Sequence, residues 1–454
     1  MENKGLNKGT LDAASPGRTE GHPSSSGRAL VVHPDVRTGG PAQARDPEAR
    51  LEEALGLAAA IDLEVVHSEA VRVSRPSPGT LLGRGAVDRL RDLIEAQEIG
   101  IAVVDSDLSP IQQRNLERAW QCKVIDRTGL ILEIFGARAK TKEGKLQVEL
   151  AALSYQRSRL VRSWTHLERQ RGGHGFMGGP GERQIEMDRR IIDDRITRLK
   201  SDLEQVKRTR EQHRKQRRRV PYPVVALVGY TNAGKSTLFN RLTRSEVFEH
   251  DMLFATLDPT MRRLRLAQGQ EVILSDTVGF ISDLPTQLVA AFRATLEEVL
   301  EADVVVHVRD VAHPDTEAQR ADVEAVLREL GLDKVIETGM VEALNKIDLL
   351  SDKERQSLQA QAERSPGRIP CSAVTGLGCD TLLEEISRRL SSTYRNVDIS
   401  LPLSDGAALA WLYQRGRVIE RRDDEVRAYL RVSLDPSDIE RFSQRHGDSA
   451  RISQ

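Results

Sequence analysis

The sequence is poor in cysteine, poor in aromatic residues and free of long apolar runs. Its three cysteines, Cys122, Cys371 and Cys379, form neither a CxxC pair nor a His/Cys metal spacing, which excludes a disulfide framework or a zinc finger. Aromatic residues make up 4% of the chain, too few for a platform on which unpaired bases stack in succession. No apolar stretch approaches the ~20 residues that cross a bilayer. The N-terminus lacks the basic, apolar and small-residue succession of a signal peptide. An excess of either charge is also missing, since 67 Lys and Arg against 68 Asp and Glu give a net charge of −1. A wholly basic nucleic-acid coat protein is thereby excluded, and any affinity for nucleic acid has to come from a local patch. These absences describe a soluble, reduced, cytoplasmic protein.

What is present suffices for real cores. The 454 residues are 39% hydrophobic and 30% charged, a length that predicts about three domains. Residues 1–28 are rich in Gly, Ser, Pro, Lys and Thr, and read as a disordered tail. Within 29–140, the apolar run Ala29–Val32, a helix Leu51–Ala60, a strand Glu64–Ser68, a helix Ala86–Gln97, a strand Ile101–Val104, a helix Ser109–Trp120 and a strand Lys123–Ile125 alternate as in a small parallel α/β unit. Two long helical stripes fill 141–219. Leu146, Leu150, Leu153, Leu160, Trp164 and Leu167 mark one, and Ile185, Ile192, Ile196, Leu199, Leu203 and Val206 the other. Between them Gly172–Gly181 holds six glycines in ten residues, so the expectation is an antiparallel helical hairpin with a glycine-rich tip. From Arg157 to Arg219 this region carries 19 Lys and Arg against 9 Asp and Glu, and is the local basic patch.

A further domain, 220–395, opens on the apolar strand Val224–Val228. Gly229-Tyr-Thr-Asn-Ala-Gly-Lys235-Ser236 follows it and precedes a helix-forming segment, which is the setting of a phosphate loop. Its N–H groups (Gly229, Tyr230, Thr231, Asn232, Ala233, Gly234, with Thr237 in the next turn) would wrap phosphate. Lys235 would meet the β- and γ-phosphates and the Ser236 hydroxyl would ligate Mg²⁺. After the strand Val272–Leu274, Asp276-Thr277-Val278-Gly279 gives a DxxG arrangement, with Asp276 on a water of the Mg²⁺ shell and the Gly279 N–H sensing the γ-phosphate. Asn345-Lys346-Ile347-Asp348 ends another strand. The Asp348 carboxylate matches N1–H and N2–H₂ of guanine, and adenine would leave a buried Asp unpaired. Downstream, Cys371-Ser372-Ala373 offers a backbone N–H for guanine O6. In Phe254-Ala255-Thr256-Leu257-Asp258, Thr256 is expected to complete the Mg²⁺ shell, with Thr260 as the second choice. Phe280 stands where many GTPases place a water-orienting Gln, and Phe cannot hydrogen-bond. Either hydrolysis is slow until a partner completes the site, or Asn232 helps to hold K⁺ against the phosphates. Lys235, Gly279 and Asn232 are thus the candidates nearest the reacting phosphate. After Asn396, a helix Asp405–Tyr413 capped by Ser404 or Asp405, a polar turn at Asp423-Asp424 and a strand Val426–Leu434 read as a small α/β domain, 396–454.

Several stretches together resemble the HflX family of translational GTPases: Arg28–Asp35, Ser109–Glu117, Asp126–Gly136, Glu143–Leu150, Pro180-Gly181-Glu182, Ile185–Arg190, Phe254–Thr260, Asp276–Phe280 and Ser404–Tyr413. The resemblance implies a P-loop GTPase domain of mostly parallel sheet with helices on both faces. A small α/β domain with the hairpin precedes it and a small α/β domain follows. It also implies binding to the large ribosomal subunit, the splitting or rescue of stalled or idle ribosomes under stress, and slow GTP hydrolysis that the ribosome stimulates. The basic, glycine-tipped hairpin suits an rRNA crevice, with Arg171, Gly172, Gly173, Gly178, Arg183, Arg189 and Arg190 as candidate contacts. Gly178, Arg183 and Phe176 depart from the family's usual tip. The family is also credited with ATP binding near Gly83-Arg84-Gly85, which on the residues alone reads as a tight turn. A different class remains open: a GTP-dependent scaffold whose hairpin binds a protein partner.

Overall fold

The computed structural model describes residues 27–36, 45–170, 180–217, 222–244, 253–254, 260–266, 270–283, 297–338, 340–393, 395–434, 436–447 and 450–453. Residues 1–26 of the expected tail and residues 171–179 of the expected tip lie outside the described residues.

The first unit runs β1 (Arg28–Val36), α1 (Pro47–Ala59), β2 (Glu64–Val73), α2 (Arg84–Ala96), β3 (Ile101–Val104), α3 (Pro110–Trp120), β4 (Lys123–Asp126) and α4 (Arg127–Arg138). The strands form a parallel sheet in the order β2-β1-β3-β4. β1 is apolar without alternation because both its faces are covered. Leu30 and Val32 feed one core with Leu90, Ile94, Leu116 and Trp120, while Val31 feeds another with Leu57, Ile131 and Phe135. β1 and β2 run on to Val36 and Val73, well past the expected ends, because they pair in parallel along their full lengths. Local caps set the helix starts. Ser109 and Gln112 close a capping box ahead of Pro110, and Asp126 accepts from Gly129 N at 2.8 Å to open α4. Sequence reasoning missed α4, whose Leu130, Ile131, Ile134 and Phe135 are all buried.

Helices α5 (Lys142–Gln170) and α6 (Pro180–Arg217) pack on each other. Cross-pairs Arg157–Asp193 (3.1 Å) and Arg195–Glu149 (2.7 Å) give their antiparallel sense. On α6 the expected Ile196 and Leu199 are buried. On α5 the expected Leu146, Leu150 and Leu153 are half-buried, and the buried hydrophobic positions include Val148 and Ala151. The reason is that α5 also packs on α3 and α4, so its core-facing stripe is wider than a two-helix seam.

The second sheet has the order β10-β9-β8-β5-β7-β6, made of β5 (Val224–Gly229), β6 (Thr260–Arg265), β7 (Glu271–Asp276), β8 (Val304–Asp310), β9 (Val341–Asn345) and β10 (Arg368–Pro370). All neighbours are parallel except the edge pair β6–β7. Helices cover it, among them α7 (Lys235–Thr243), α8 (Glu297–Leu300), α9 (Thr316–Glu329), α10 (Asp333–Thr338), α11 (Asp352–Glu363) and α12 (Cys379–Thr393). Central β5 and β8 end where β5 hands over to α7, the crevice at which such sheets bind ligands.

The last unit is an antiparallel sheet, β12-β13-β11-β14, with α13 and α14. Its elements are β11 (Arg395–Pro402), α13 (Gly406–Arg415), β12 (Arg417–Asp423), β13 (Arg427–Leu434), α14 (Pro436–His446) and β14 (Arg451–Ser453). Of the two expected caps, Asp405 is the one used, accepting from Ala408 N at 3.0 Å. Sequence reasoning had placed only α13 and β13 here. Among the described residues no helix is long and apolar enough to cross a membrane.

Candidate functional site

The site grows from the end of β5. Gly234 is the N-cap of α7 with φ +91°, a conformation that L side chains avoid. A Cβ there would also collide with the Asn345 amide. Asn232 sits in the left-handed region at φ 57° with its side chain exposed. The loop is thus bent so that the first turn of α7 and its unsatisfied N–H groups face the same pocket. Lys235 is buried at 6% exposure and donates from Nζ to the Tyr230 carbonyl at 2.7 Å. Burial pushes its pKa down to about 8 against the opposing pull of Asp276.

The DxxG segment folds onto this loop. Phe280 N donates to Gly229 O (3.0 Å) and Thr231 N donates to Phe280 O (2.7 Å), a parallel bridge between Tyr230 and Phe280. Gly279 is pressed against the loop, since a Cβ on it would fall 2.9 Å from Thr231 Cγ2 and 3.1 Å from Lys235 Nζ. Phe280 is buried, so its ring is spent on the core. Thr231 Oγ1 is buried with no hydrogen-bond partner among the described residues. Ser236 donates to Asp276 Oδ2 at 2.7 Å, and Thr277 is anchored through Oγ1 to Leu227 O at 2.6 Å. Val278 is buried and Thr237 half-buried.

The third motif closes the pocket through Asn345. Its amide donates to Ala233 O at 2.9 Å and its oxygen accepts from Ala373 N at 2.9 Å, so one buried side chain ties the phosphate loop to the Cys371-Ser372-Ala373 loop. Ile347 N reaches Cys371 O at 3.4 Å. Lys346, left-handed at φ 68°, pairs with Asp310 at 2.8 Å. Asp348, expected from the sequence to be buried against guanine, is exposed here. It lies in the short turn Ile347–Leu349, just past the end of β9.

Some expected residues are not brought together here. Ala255, Thr256, Leu257 and Asp258 lie outside the described residues, as do Arg171, Gly172, Gly173 and Gly178. Thr260 opens β6 opposite Asp276. Phe254 is buried and meets Phe135 of the first unit edge-on at 4.6 Å. Arg183 lies on α6, and Arg189 and Arg190 are exposed there, Arg190 pairing with Glu186 at 2.7 Å.

Sequence reasoning missed a buried cluster that reaches the pocket from the first unit. Glu53 on α1 accepts from the Tyr230 hydroxyl, 3.1 Å from each oxygen. That hydroxyl accepts from Ser282 N at 2.8 Å. Arg127 at the head of α4, 2% exposed, donates to Glu53 (2.6 Å), to Ser282 O (3.1 Å) and Oγ (2.9 Å), and to Asp105. His33 pairs with Asp105 at 2.8 Å, and Arg50 binds Ser282 Oγ and Asp283. The only sequence signal was an Arg set between the apolar pairs Val124-Ile125 and Leu130-Ile131, a position that burial forces to find partners.

A strand–loop–helix phosphate cradle at the centre of a mostly parallel sheet, with DxxG and NKxD motifs at the ends of β7 and β9 of the same sheet, defines a P-loop GTPase. Four family models match the chain in succession: GTP-binding GTPase N-terminal (48–136), GTP-binding GTPase Middle Region (138–217), 50S ribosome-binding GTPase (224–346) and HflX C-terminal domain (357–454). GTPase HflX of Magnetococcus marinus is 51% identical over 86% of this chain and 89% of its own length. GTPase HflX of Escherichia coli is 45% identical over 80% and 84%. A solved GTP-binding protein from Sulfolobus solfataricus in complex with GDP aligns over 80% of this chain and 99% of its own at a TM-score of 0.43 and 23% identity. The chain belongs to the HflX family of GTPases and is a GTP-hydrolysing enzyme.

Proposed function

We propose that this GTPase associates with the large ribosomal subunit and splits or rescues stalled and idle ribosomes, with its nucleotide state setting its affinity for them. The observation that carries the nucleotide part is Asn345, which holds the phosphate loop and the Cys371–Ala373 loop around one pocket. In that pocket Lys235, with the Gly229–Thr237 backbone, takes the phosphates, Asp348 and Ala373 N select guanine, and the Gly279 N–H reads the γ-phosphate. Thr277, Val278, Lys346, Ile347, Cys371 and Ser372 shape its walls.

The donor set fits Mg²⁺. Ser236 and Asp276 already lie 2.7 Å apart as hard oxygen donors at the head of α7. Ser236 would be a direct ligand, with Thr256 as the second and Asp276 holding a water. The chemistry supplied is neutralisation of charge on the β- and γ-oxygens. Asn232, exposed beside the phosphates, would help to hold K⁺. With Phe280 turned into the core, intrinsic hydrolysis is slow and ribosome binding stimulates it.

The ribosomal part is supported by the matched family, 50S ribosome-binding GTPase, and by the basic hairpin with its exposed Arg189 and Arg190. Co-sedimentation with large subunits across a salt series, with a GTP analogue or GDP, tests it. Binding should favour the analogue and weaken steeply with salt. Salt-insensitive binding, or capture of a protein without ribosomes, would favour a scaffold instead.

A further inference from the structure

The phosphate loop commits most of its polar side chains inside the protein. Tyr230 gives its hydroxyl to Glu53, Lys235 donates to the Tyr230 carbonyl and Ser236 donates to Asp276, while Asn232 is exposed. Thr231 is different: it is 6% exposed, yet its hydroxyl has no hydrogen-bond partner among the described residues. Its N–H is taken by the Phe280 carbonyl at 2.7 Å, which fixes where the residue stands. It stands against Gly279. A Cβ on that glycine would meet Thr231 Cγ2 at 2.9 Å, Thr231 Cα at 3.0 Å and Lys235 Nζ at 3.1 Å, so the threonine, the ammonium and the Gly279 backbone converge on one spot. A buried hydroxyl without a partner costs stability, and valine would fill nearly the same space without that cost. An unpaired group of this kind, placed where reacting groups converge, calls for a partner that the ligand supplies.

We infer that Thr231 is a catalytic residue of GTP hydrolysis, its hydroxyl orienting the attacking water that a Gln after the DxxG segment would otherwise orient. Phe280 holds the Gln position with its ring in the core, and Phe can neither donate nor accept there. A hydroxyl can do both. Thr231 Oγ1 accepts from the attacking water, whose lone pair then faces the γ-phosphorus, and donates to a γ-phosphate oxygen. The water oxygen bonds to that phosphorus as the bond from phosphorus to the β–γ bridging oxygen breaks, and the electron pair leaves with GDP. One water hydrogen stays on the new P–O–H and the other passes to a γ-phosphate oxygen, so the threonine ends unchanged. GDP has no γ-phosphate, and its binding makes no use of the hydroxyl. This role rests on the reading of Lys235 and Gly279 as γ-phosphate contacts.

The test compares two variants of the full chain. Thr231→Val removes the hydroxyl and keeps the branched shape, whereas Thr231→Ser keeps the hydroxyl and removes the methyl that packs on Gly279. Hydrolysis is followed under single turnover, with protein in excess over GTP, beside GDP affinity and Tm. Thr231→Val should slow hydrolysis at least about tenfold, towards the roughly hundredfold loss seen when a preorganised polar group is removed. Its GDP affinity should stay within about twofold, and its Tm should be equal or higher. Thr231→Ser should stay within about threefold of the parent rate. Normal or faster hydrolysis by Thr231→Val overturns the inference. A Thr231→Ser as slow as Thr231→Val overturns it too, since the methyl would then carry the effect. So does a slow Thr231→Val that loses GDP affinity or Tm in parallel. Lys235→Ala is run beside them. Normal hydrolysis there would sink the reading of the phosphate site, whereas a dead Lys235→Ala with a normal Thr231→Val sinks only the role of Thr231.

Discussion

Lys235 and His307 are two buried cations-in-waiting whose surroundings push them the same way. Burial lowers the Lys235 pKa to about 8, so without nucleotide the side chain is a neutral amine above that pH, while nucleotide phosphates call for the ammonium. Binding above pH 8 must therefore take up a proton. GDP affinity should be flat below pH 8 and fall about tenfold per unit above it. Calorimetry in two buffers of different ionisation heat should show proton uptake near one per site at pH 9, and a flat profile would remove Lys235 from the phosphates. His307 on β8 is fully buried, and burial first, then Arg309, Arg320 and Lys235, lower its pKa to about 3. The unfolded chain takes this proton at its ordinary value and the folded chain does not. Stability from this group is therefore complete above pH ~6.5 and is lost as pH falls towards 3. Between pH 7 and 5 the loss should be about 2 kcal/mol, and His307→Leu should abolish that share in urea unfolding at the two pH values.

Asn345 shows how an element end does the work of a joint. It closes β9 with both of its polar atoms used, one on the phosphate loop and one on the Ala373 N–H. Asn345→Ala would leave a buried carbonyl and a buried N–H unpaired, at about 1–3 kcal/mol each. The expected result is a lower Tm together with weaker binding of GTP and GDP alike, because both loops lose their common support. A loss confined to one of these measurements would contradict that. Motifs of this kind were legible beforehand because backbone chemistry dictates them. A Gly at φ +91° and an Asn at a strand end carry their own explanation at the sequence level. The helix expected over Ser109–Trp120 was equally readable, and the structure starts it at a Ser109 capping box. What could not be read was long-range pairing. Glu53, Arg127 and Ser282 lie far apart in the chain and meet only after two units dock, and nothing local marks Glu53 among the other acids of α1. The α4 helix was missed for a related reason. A short run that is apolar on nearly every side has no face, so its period is hidden until helices and sheet surround it.

On the scale of the whole molecule, near-neutral net charge is compatible with polyanion binding only if the charge is sorted in space. On α6, Arg189 and Arg190 are exposed. Part of that charge is committed locally, Arg190 to Glu186 and Arg189 to Asp193 at 3.8 Å. Pairs this exposed are worth little in water and are easily traded for phosphate. If the hairpin docks on rRNA, each Arg that meets a phosphate releases about one counterion and adds roughly 0.7–0.9 to the slope of log affinity against log salt. Arg189→Gln with Arg190→Gln should therefore weaken large-subunit binding and flatten that slope by about 1.5. Nucleotide affinity should stay as it was, because the hairpin stands apart from the pocket in the chain and in the fold. Sedimentation at four or more salt concentrations measures the slope directly. If the slope is unchanged while affinity drops, those arginines act by shaping the helix, and the phosphate contacts lie elsewhere on the molecule.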